Sequence, residues 1–138
     1  MLSAPAWMKE NGEYRCPQDP SCTGCVLKKT LQAVWAEYIS RFIDAYSDVS
    51  DVWAITVQNE PLNCPNNYEG MHFSAESERD FIRDHLGPLL RAKHPKALLL
   101  AYDHNKDKLE EWANVVLGDK VGDSLSPRTR LWASLDLS

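Results

Sequence analysis

No stretch of this 138-residue chain is apolar for long enough to cross a bilayer as a helix: the longest uninterrupted run, Ala97 to Tyr102, falls far short of the roughly 20 residues required. Basic side chains are also scarce, 15 against 20 acidic ones, for a formal net charge of -5. Lys28-Lys29 is the one basic pair of note, and without a basic stripe nucleic acid is not an expected partner. The opening Met1-Leu2-Ser3-Ala4-Pro5 lacks the basic start and apolar run of a signal peptide. There is no glycine-rich phosphate loop, no His-Glu-x-x-His helix, no Gly-x-Ser-x-Gly elbow and no Asn-x-Ser/Thr sequon. Asp103-x-Asn105-x-Asp107 opens like a calcium loop. It then puts Lys108 and Asn114 where Gly and Glu are needed, so no metal is expected there. Cys16, Cys22, Cys25 and Cys64 do not form the paired spacing of a zinc site. A disulfide among the first three and free thiols both stay open, because the compartment decides between them. No cofactor and no oligomer are expected.

What is present, 43% hydrophobic and 25% charged residues, suits one globular domain at most. That length buries a core without help from disulfides or metals. The first 30 residues show no periodicity and read as a strand remnant and a long loop. Leu31, Val34, Trp35, Tyr38, Ile39, Phe42, Ile43 and Tyr46 then recur at three-then-four spacing, which predicts a helix with one buried stripe. Val52 to Val57 is a β-branched and aromatic run without alternation, the pattern of a strand covered on both faces. After a loop from Gln58 to Phe73, Ser74 caps a second helix, which Pro88 should kink or shorten. Ala97 to Tyr102 predicts a second buried strand. Asp107 with Glu110 predicts a capping pair for a third helix carrying Leu109, Trp112, Ala113, Val116 and Leu117, with Gly118 as its stop. Trp35, Trp53 and Trp112 read as core. Strand and helix alternate, so the expected class is α/β with a parallel sheet. From Gly122 onward the rhythm breaks: no third apolar strand follows, and Gly122 to Ser138 is expected not to continue the architecture.

Ligands of parallel sheets bind at the carboxyl ends of the strands. Two such ends are visible, Gln58-Asn59-Glu60-Pro61 and Asp103-His104-Asn105. A glutamate at the end of an apolar strand is partly desolvated, which favours its acid form and suits it to deliver a proton. Asn59 supplies an amide that both donates to and accepts from a sugar hydroxyl, and Pro61 fixes the backbone after the acid.

The run Trp53-Ala54-Ile55-Thr56-Val57-Gln58-Asn59-Glu60-Pro61 closely resembles the fourth-strand motif of the glucosylceramidase family, the acid β-glucosidases of glycoside hydrolase family 30. Ser3-Ala4-Pro5-Ala6-Trp7-Met8-Lys9 with Asn11-Gly12 resembles the end of that family's third strand. The segment from Phe73 through Arg79-Asp80-Phe81-Ile82 to Leu89 resembles its fourth helix, and Tyr102-Asp103-His104-Asn105 the end of its fifth strand. The likeness runs in order from about Leu2 to Asp119, with Cys16 to Cys25 as a poorly matching insert.

This resemblance implies part of a (β/α)8 TIM barrel, roughly strands three to five with their helices, over residues 1–121, followed by a divergent, disordered tail at 122–138. It also implies retaining hydrolysis of a β-glucosidic bond, with glucosylceramide as the favoured substrate and no cofactor. In that mechanism one carboxylic acid protonates the leaving oxygen and a second carboxylate about 5 Å away attacks the anomeric carbon. By the family's motif Glu60 is the acid/base, Asn59 holds the sugar's 2-hydroxyl, and Trp7 walls the glucose pocket with its aromatic face. Asp103 and Tyr68 stand at matching loop positions, lining the pocket or its mouth. The family's nucleophilic glutamate belongs to the seventh strand, and no residue here takes that role, so the chain alone is expected to be inactive. The parent family implies a lysosomal or secreted location, a glycolipid or other β-glycoside partner, and a membrane surface met through the lipid. Two other readings stand beside this one: a non-catalytic sugar- or lipid-binding remnant using Trp7, Tyr68 and Asn59, and a polypeptide whose open sheet edges prevent stable folding.

Overall fold

Three parallel strands, β1 (Ala54–Thr56), β2 (Leu98–His104) and β3 (Thr129–Ala133), pair in the order β1-β2-β3. The computed structural model describes residues 3–16, 22, 24–118 and 129–133. α1 (Gln32–Tyr46) precedes β1; α2 (Ala75–Phe81) and α3 (Gly87–Lys93) cross from β1 to β2; α4 (Leu109–Val116) follows β2. Parallel neighbours require crossovers of this length, because a tight hairpin turn reverses the chain. The α/β class is as expected, with β1 inside the first apolar run, β2 beginning in the second and running past it to His104, and Ala54 to Thr56 paired with Leu98 to Leu100.

The core lies between sheet and helices. Ile55, Val57, Leu99 and Ala101 meet Trp35 and Ile39 of α1, Phe81 of α2, and Trp112 and Val116 of α4 in one buried cluster. Each large side chain taken out of water there contributes about 1.5–3 kcal/mol. Ser74 caps α2 as expected and shares a reciprocal box with Ser77: the Ser77 N–H donates to the Ser74 hydroxyl oxygen, and the Ser74 N–H to that of Ser77. Pro88 acts upstream of its own position. Lacking an N–H and crowding the carbonyl one turn back, it leaves Ile82–Leu86 as a π turn in which the Gly87 N–H reaches Ile82 O. A Cβ at Gly87 would stand 2.6 Å from that carbonyl oxygen, so only glycine fits.

Several expectations are corrected. The eight-residue stripe of α1 is buried only along Trp35, Ile39 and Ile43, while Val34, Tyr38, Phe42 and Tyr46 are exposed; among the described residues the helix is packed on one flank, so half of a wide apolar arc stays in water. Trp53 is 67% exposed rather than core, because it stands before β1 at an edge of the sheet. Asp107 does not cap α4; a 3-10 turn at Lys106–Lys108 leads into the helix, and Asp107 instead accepts from the Tyr102 hydroxyl at 3.3 Å. The strand remnant expected at the start gives way to a 3-10 turn at Ala6–Met8, and Met1-Leu2 lies outside the described residues. The tail also differs: the boundary placed after residue 121 lies outside the described residues, but Thr129–Ala133 does continue the architecture, as a third parallel strand. Its Leu131-Trp132-Ala133 run sits later in the chain than the helix spacing suggested, behind a polar stretch that masked it.

Candidate active site

β1 delivers its last residues to the carboxyl end of the sheet. The Val57 N–H still donates to Leu100 O at 3.1 Å, Gln58 is buried, and its side-chain amide donates to Asn59 O at 3.0 Å. The chain then turns sharply at Glu60, whose φ of 47° is left-handed, a conformation costly for a non-glycine residue and kept where neighbours enforce it. Two backbone bonds do so: the Glu60 N–H donates to Asp103 O at 2.8 Å, and Glu60 O accepts from the Asn63 N–H at 2.9 Å. The ends of two adjacent strands are thus joined at the acid.

The Glu60 carboxylate is half-buried and held by neutral donors. Oε2 accepts from Asn63 Nδ2 at 2.9 Å and from the Tyr68 hydroxyl at 3.2 Å, and Asn63 Nδ2 also reaches the Tyr68 oxygen at 2.7 Å. Partial burial, with the Glu60 charge adding to it, pushes the Tyr68 phenol above its ordinary pKa, which keeps it protonated and donating. Asn59, Glu60, Asn63 and Tyr68 line one shallow surface depression.

The loop carrying these groups is fastened at many points. The Phe73 N–H donates to Pro61 O at 3.0 Å and closes its base. Disulfides join Cys16 to Cys25 and Cys22 to Cys64, with Cα separations of 5.2 and 5.8 Å, which resolves the choice left open by the spacing in favour of oxidised pairs and ties Cys64, next to Asn63, to the N-terminal segment. Gly70 O accepts from the buried Lys9 ammonium at 2.9 Å and from the Ser3 hydroxyl at 3.0 Å. Burial lowers the pKa of Lys9, while Glu13 and Glu69 act in the opposite direction. A Cβ on Gly70 would meet the Pro65 ring at 2.6 Å, so the loop needs glycine there.

Of the five residues singled out in the sequence, the structure brings Glu60, Asn59 and Tyr68 together, and joins Asp103 to them through its backbone carbonyl. Trp7 is not among them. It is 59% exposed on the Ala6–Met8 turn and lines a separate hollow with Met8, Val34 and Tyr38. Two residues escaped sequence reasoning. Asn63 had a usable signal, since Pro61 followed two residues later by Asn is turn chemistry that returns a polar side chain towards position 60. Glu78 is fully buried on α2, where Oε2 accepts from Trp112 Nε1 at 2.7 Å and Oε1 from the Tyr102 N–H at 3.1 Å. Its signal was its place three and four residues before Phe81 and Ile82, on the helix's apolar face.

A strand-end carboxylate among neutral hydrogen-bond donors, on a parallel sheet flanked by helices, stands where ligands of α/β sheets bind. The Glycosyl hydrolase family 30 TIM-barrel domain profile matches residues 1–126, and the chain belongs to that family. It is 34% identical over 122 residues to the lysosomal acid glucosylceramidase of Mus musculus, covering 85% of this chain and 23% of that protein. It is 33% identical over 111 residues to an endo-1,6-beta-D-glucanase of Trichoderma harzianum, covering 77% and 23%. Among solved structures, SrfJ from Salmonella typhimurium superimposes with a TM-score of 0.78 at 27% identity, over 94% of this chain and 28% of that one. The chain therefore spans about a quarter of the length of the relatives it matches, and its sheet is a portion of a TIM barrel.

Proposed function

We propose that this chain supplies the acid/base half of a retaining β-glycosidase site, with Glu60 as the group that protonates the leaving oxygen and then activates water. The observation that carries the reading is the Glu60 carboxylate at a strand end, half-buried and held by Asn63 and Tyr68. A proton donor of this type must stay oriented without a cation that would hold it ionised, and two uncharged donors on one oxygen leave the other free for a sugar oxygen. Asn59 takes the 2-hydroxyl, and Tyr68 and Asp103 line the pocket and its mouth. Trp7 enters the reading through an indole open to solvent and not through nearness to Glu60.

The favoured substrate is glucosylceramide, in keeping with the mouse relative, and a 1,6-linked β-glucan is the alternative in keeping with the fungal one. The location that goes with the first is lysosomal or secreted, an environment that suits two disulfides. The nucleophile is supplied from outside this chain, which by itself turns over no β-glucoside. In a chimaera where residues 3–118 replace the matching stretch of the mouse relative, Glu60→Gln should cut turnover strongly for β-glucosides with poor leaving groups and much less for activated ones. Equal losses with both would remove the acid/base role. A second reading, sugar binding without turnover, draws on the same ring of amide and hydroxyl groups. Saturable binding of an iminosugar to the chain alone supports it, and a flat titration removes it.

A further inference from the structure

β2 spends one residue more than β3 near its carboxyl end: Ala101 pairs with Leu131, but His104 pairs with Ala133. The irregularity falls at Tyr102-Asp103, and Tyr102 has a φ of 64°. For a bulky aromatic residue this is an outlier, and the surroundings must hold it. A bulge also takes an N–H out of the strand ladder, and a buried N–H needs another acceptor. Tyr102 finds it in Glu78 Oε1 at 3.1 Å. The Tyr102 ring lies tilted against that of Trp112, centroids 4.8 Å apart, and the Trp112 indole N–H donates to the other oxygen of the same carboxylate at 2.7 Å. One residue further on, Asp103 O receives the Glu60 N–H at 2.8 Å.

We propose that Glu78 is a positioning residue for the strand-end site: it holds the bulge at Tyr102, and the bulge, through the Asp103 carbonyl, aims the backbone of Glu60. The choice of side chain follows from its partners. Both groups facing the Glu78 oxygens are donors, and a carboxylate is the only side chain that offers two acceptor oxygens and no donor. Glutamine would turn an NH2 towards one donor, and an aliphatic side chain would leave two buried N–H groups orphaned. Full burial pushes the Glu78 carboxyl up to about 7, while the Trp112 and Tyr102 donors pull it down and the charge of Asp103, on β2, raises it. Below that pH the carboxyl carries a proton that must be placed opposite a donor, so the bulge responds to acid as well as to substitution. The consequence for catalysis rests on Glu60 being the proton donor; the positioning itself does not.

The test uses the 138-residue chain and nuclear magnetic resonance. Glu78→Gln, with near-ultraviolet dichroism unchanged, should speed hydrogen exchange of both the Tyr102 and Glu60 amides by about tenfold, the loss of roughly one hydrogen bond each. Faster exchange at Tyr102 alone, with Glu60 as protected as before, overturns the proposal. If Glu78→Gln does not fold, Glu60→Gln supplies the second measurement, because an amide at position 60 then reports no titration of its own side chain. In that variant the residue-60 amide and the Trp112 indole resonances should move together with the Glu78 carboxyl carbon as pH rises through about 7. A residue-60 amide indifferent across that range overturns the proposal. Failure of the acid/base reading shows instead as equal losses with both kinds of leaving group in the Glu60→Gln chimaera, which neither exchange nor titration reports.

Discussion

Glu60 and Asp103, 43 positions apart in sequence, are joined by a 2.8 Å backbone hydrogen bond at the carboxyl ends of β1 and β2. The bond lies beyond the last paired positions of the two strands, so it belongs to the site and not to the sheet ladder. It fixes a glutamate in a left-handed conformation that its own side chain disfavours. Sheet geometry and the acid's orientation are therefore one structural problem, and changes at either strand end are expected to be felt at the other.

Stability should depend on pH through Glu78. The folded carboxyl is raised to about 7 from the ordinary 4.5 of a glutamate, so between these the folded state holds a proton that the unfolded state has released. The contribution is fully present below about 4.5 and is lost as pH rises through about 7, a fall on the order of 3 kcal/mol. Denaturant midpoints measured from pH 4.5 to 8 should decline in the chain as it stands, and Glu78→Gln should flatten the decline. A profile that rises over that range would contradict the burial argument.

The Tyr68 phenol should titrate above free tyrosine, by ultraviolet difference absorbance, because of its burial and then the Glu60 carboxylate beside it. Glu60→Gln removes the second cause and should bring the midpoint part of the way down. A midpoint that does not move would mean that the 3.2 Å contact to Glu60 is not kept in solution.

The two disulfides should differ in worth. Cys22 and Cys64 are 42 residues apart, Cys16 and Cys25 only 9, and loop-closure entropy assigns about 4 kcal/mol to the longer loop and about 2.6 to the shorter. Urea unfolding of Cys64→Ser should therefore show a larger loss than that of Cys16→Ser. The reverse order would point to strain or residual structure in place of chain entropy.

The exposed row on α1 should govern self-association more than folding. Phe42→Lys, on that row, is expected to change stability by within about 0.5 kcal/mol while reducing concentration-dependent sedimentation. Ile39→Ala, on the buried row, should cost about 2–5 kcal/mol. Sedimentation unchanged by Phe42→Lys would remove the row as the sticky surface.

Much of this arrangement was legible in the sequence because the signals were local. Unbroken apolar runs marked β1 and β2, Ser74 marked the start of α2, and a glutamate just after a buried run marked the candidate site. What was not legible depended on neighbours distant in the chain. Helical periodicity identifies an apolar arc but not how much of it meets a partner, so Val34, Tyr38, Phe42 and Tyr46 could not be told from Trp35 and Ile39. Trp53 has a strand's composition but stands before the strand begins. Glu78 looks like an ordinary solvated acid until Trp112 and the bulge at Tyr102 are brought against it, and four cysteines allow pairings that spacing alone does not separate. Thr129–Ala133 was hidden by the polar run before it.

The loop from Gln58 to Phe73 is fastened to the N-terminal segment at Cys64 by a disulfide, at Pro65 by the Cys16 N–H, at Gly70 by Lys9 and at His72 by Cys25 O. A segment so anchored cannot swing as a lid on the microsecond-to-millisecond timescale of gating loops. On the glycosidase reading proposed above, substrate admission and product escape past this wall should therefore carry no slow opening step.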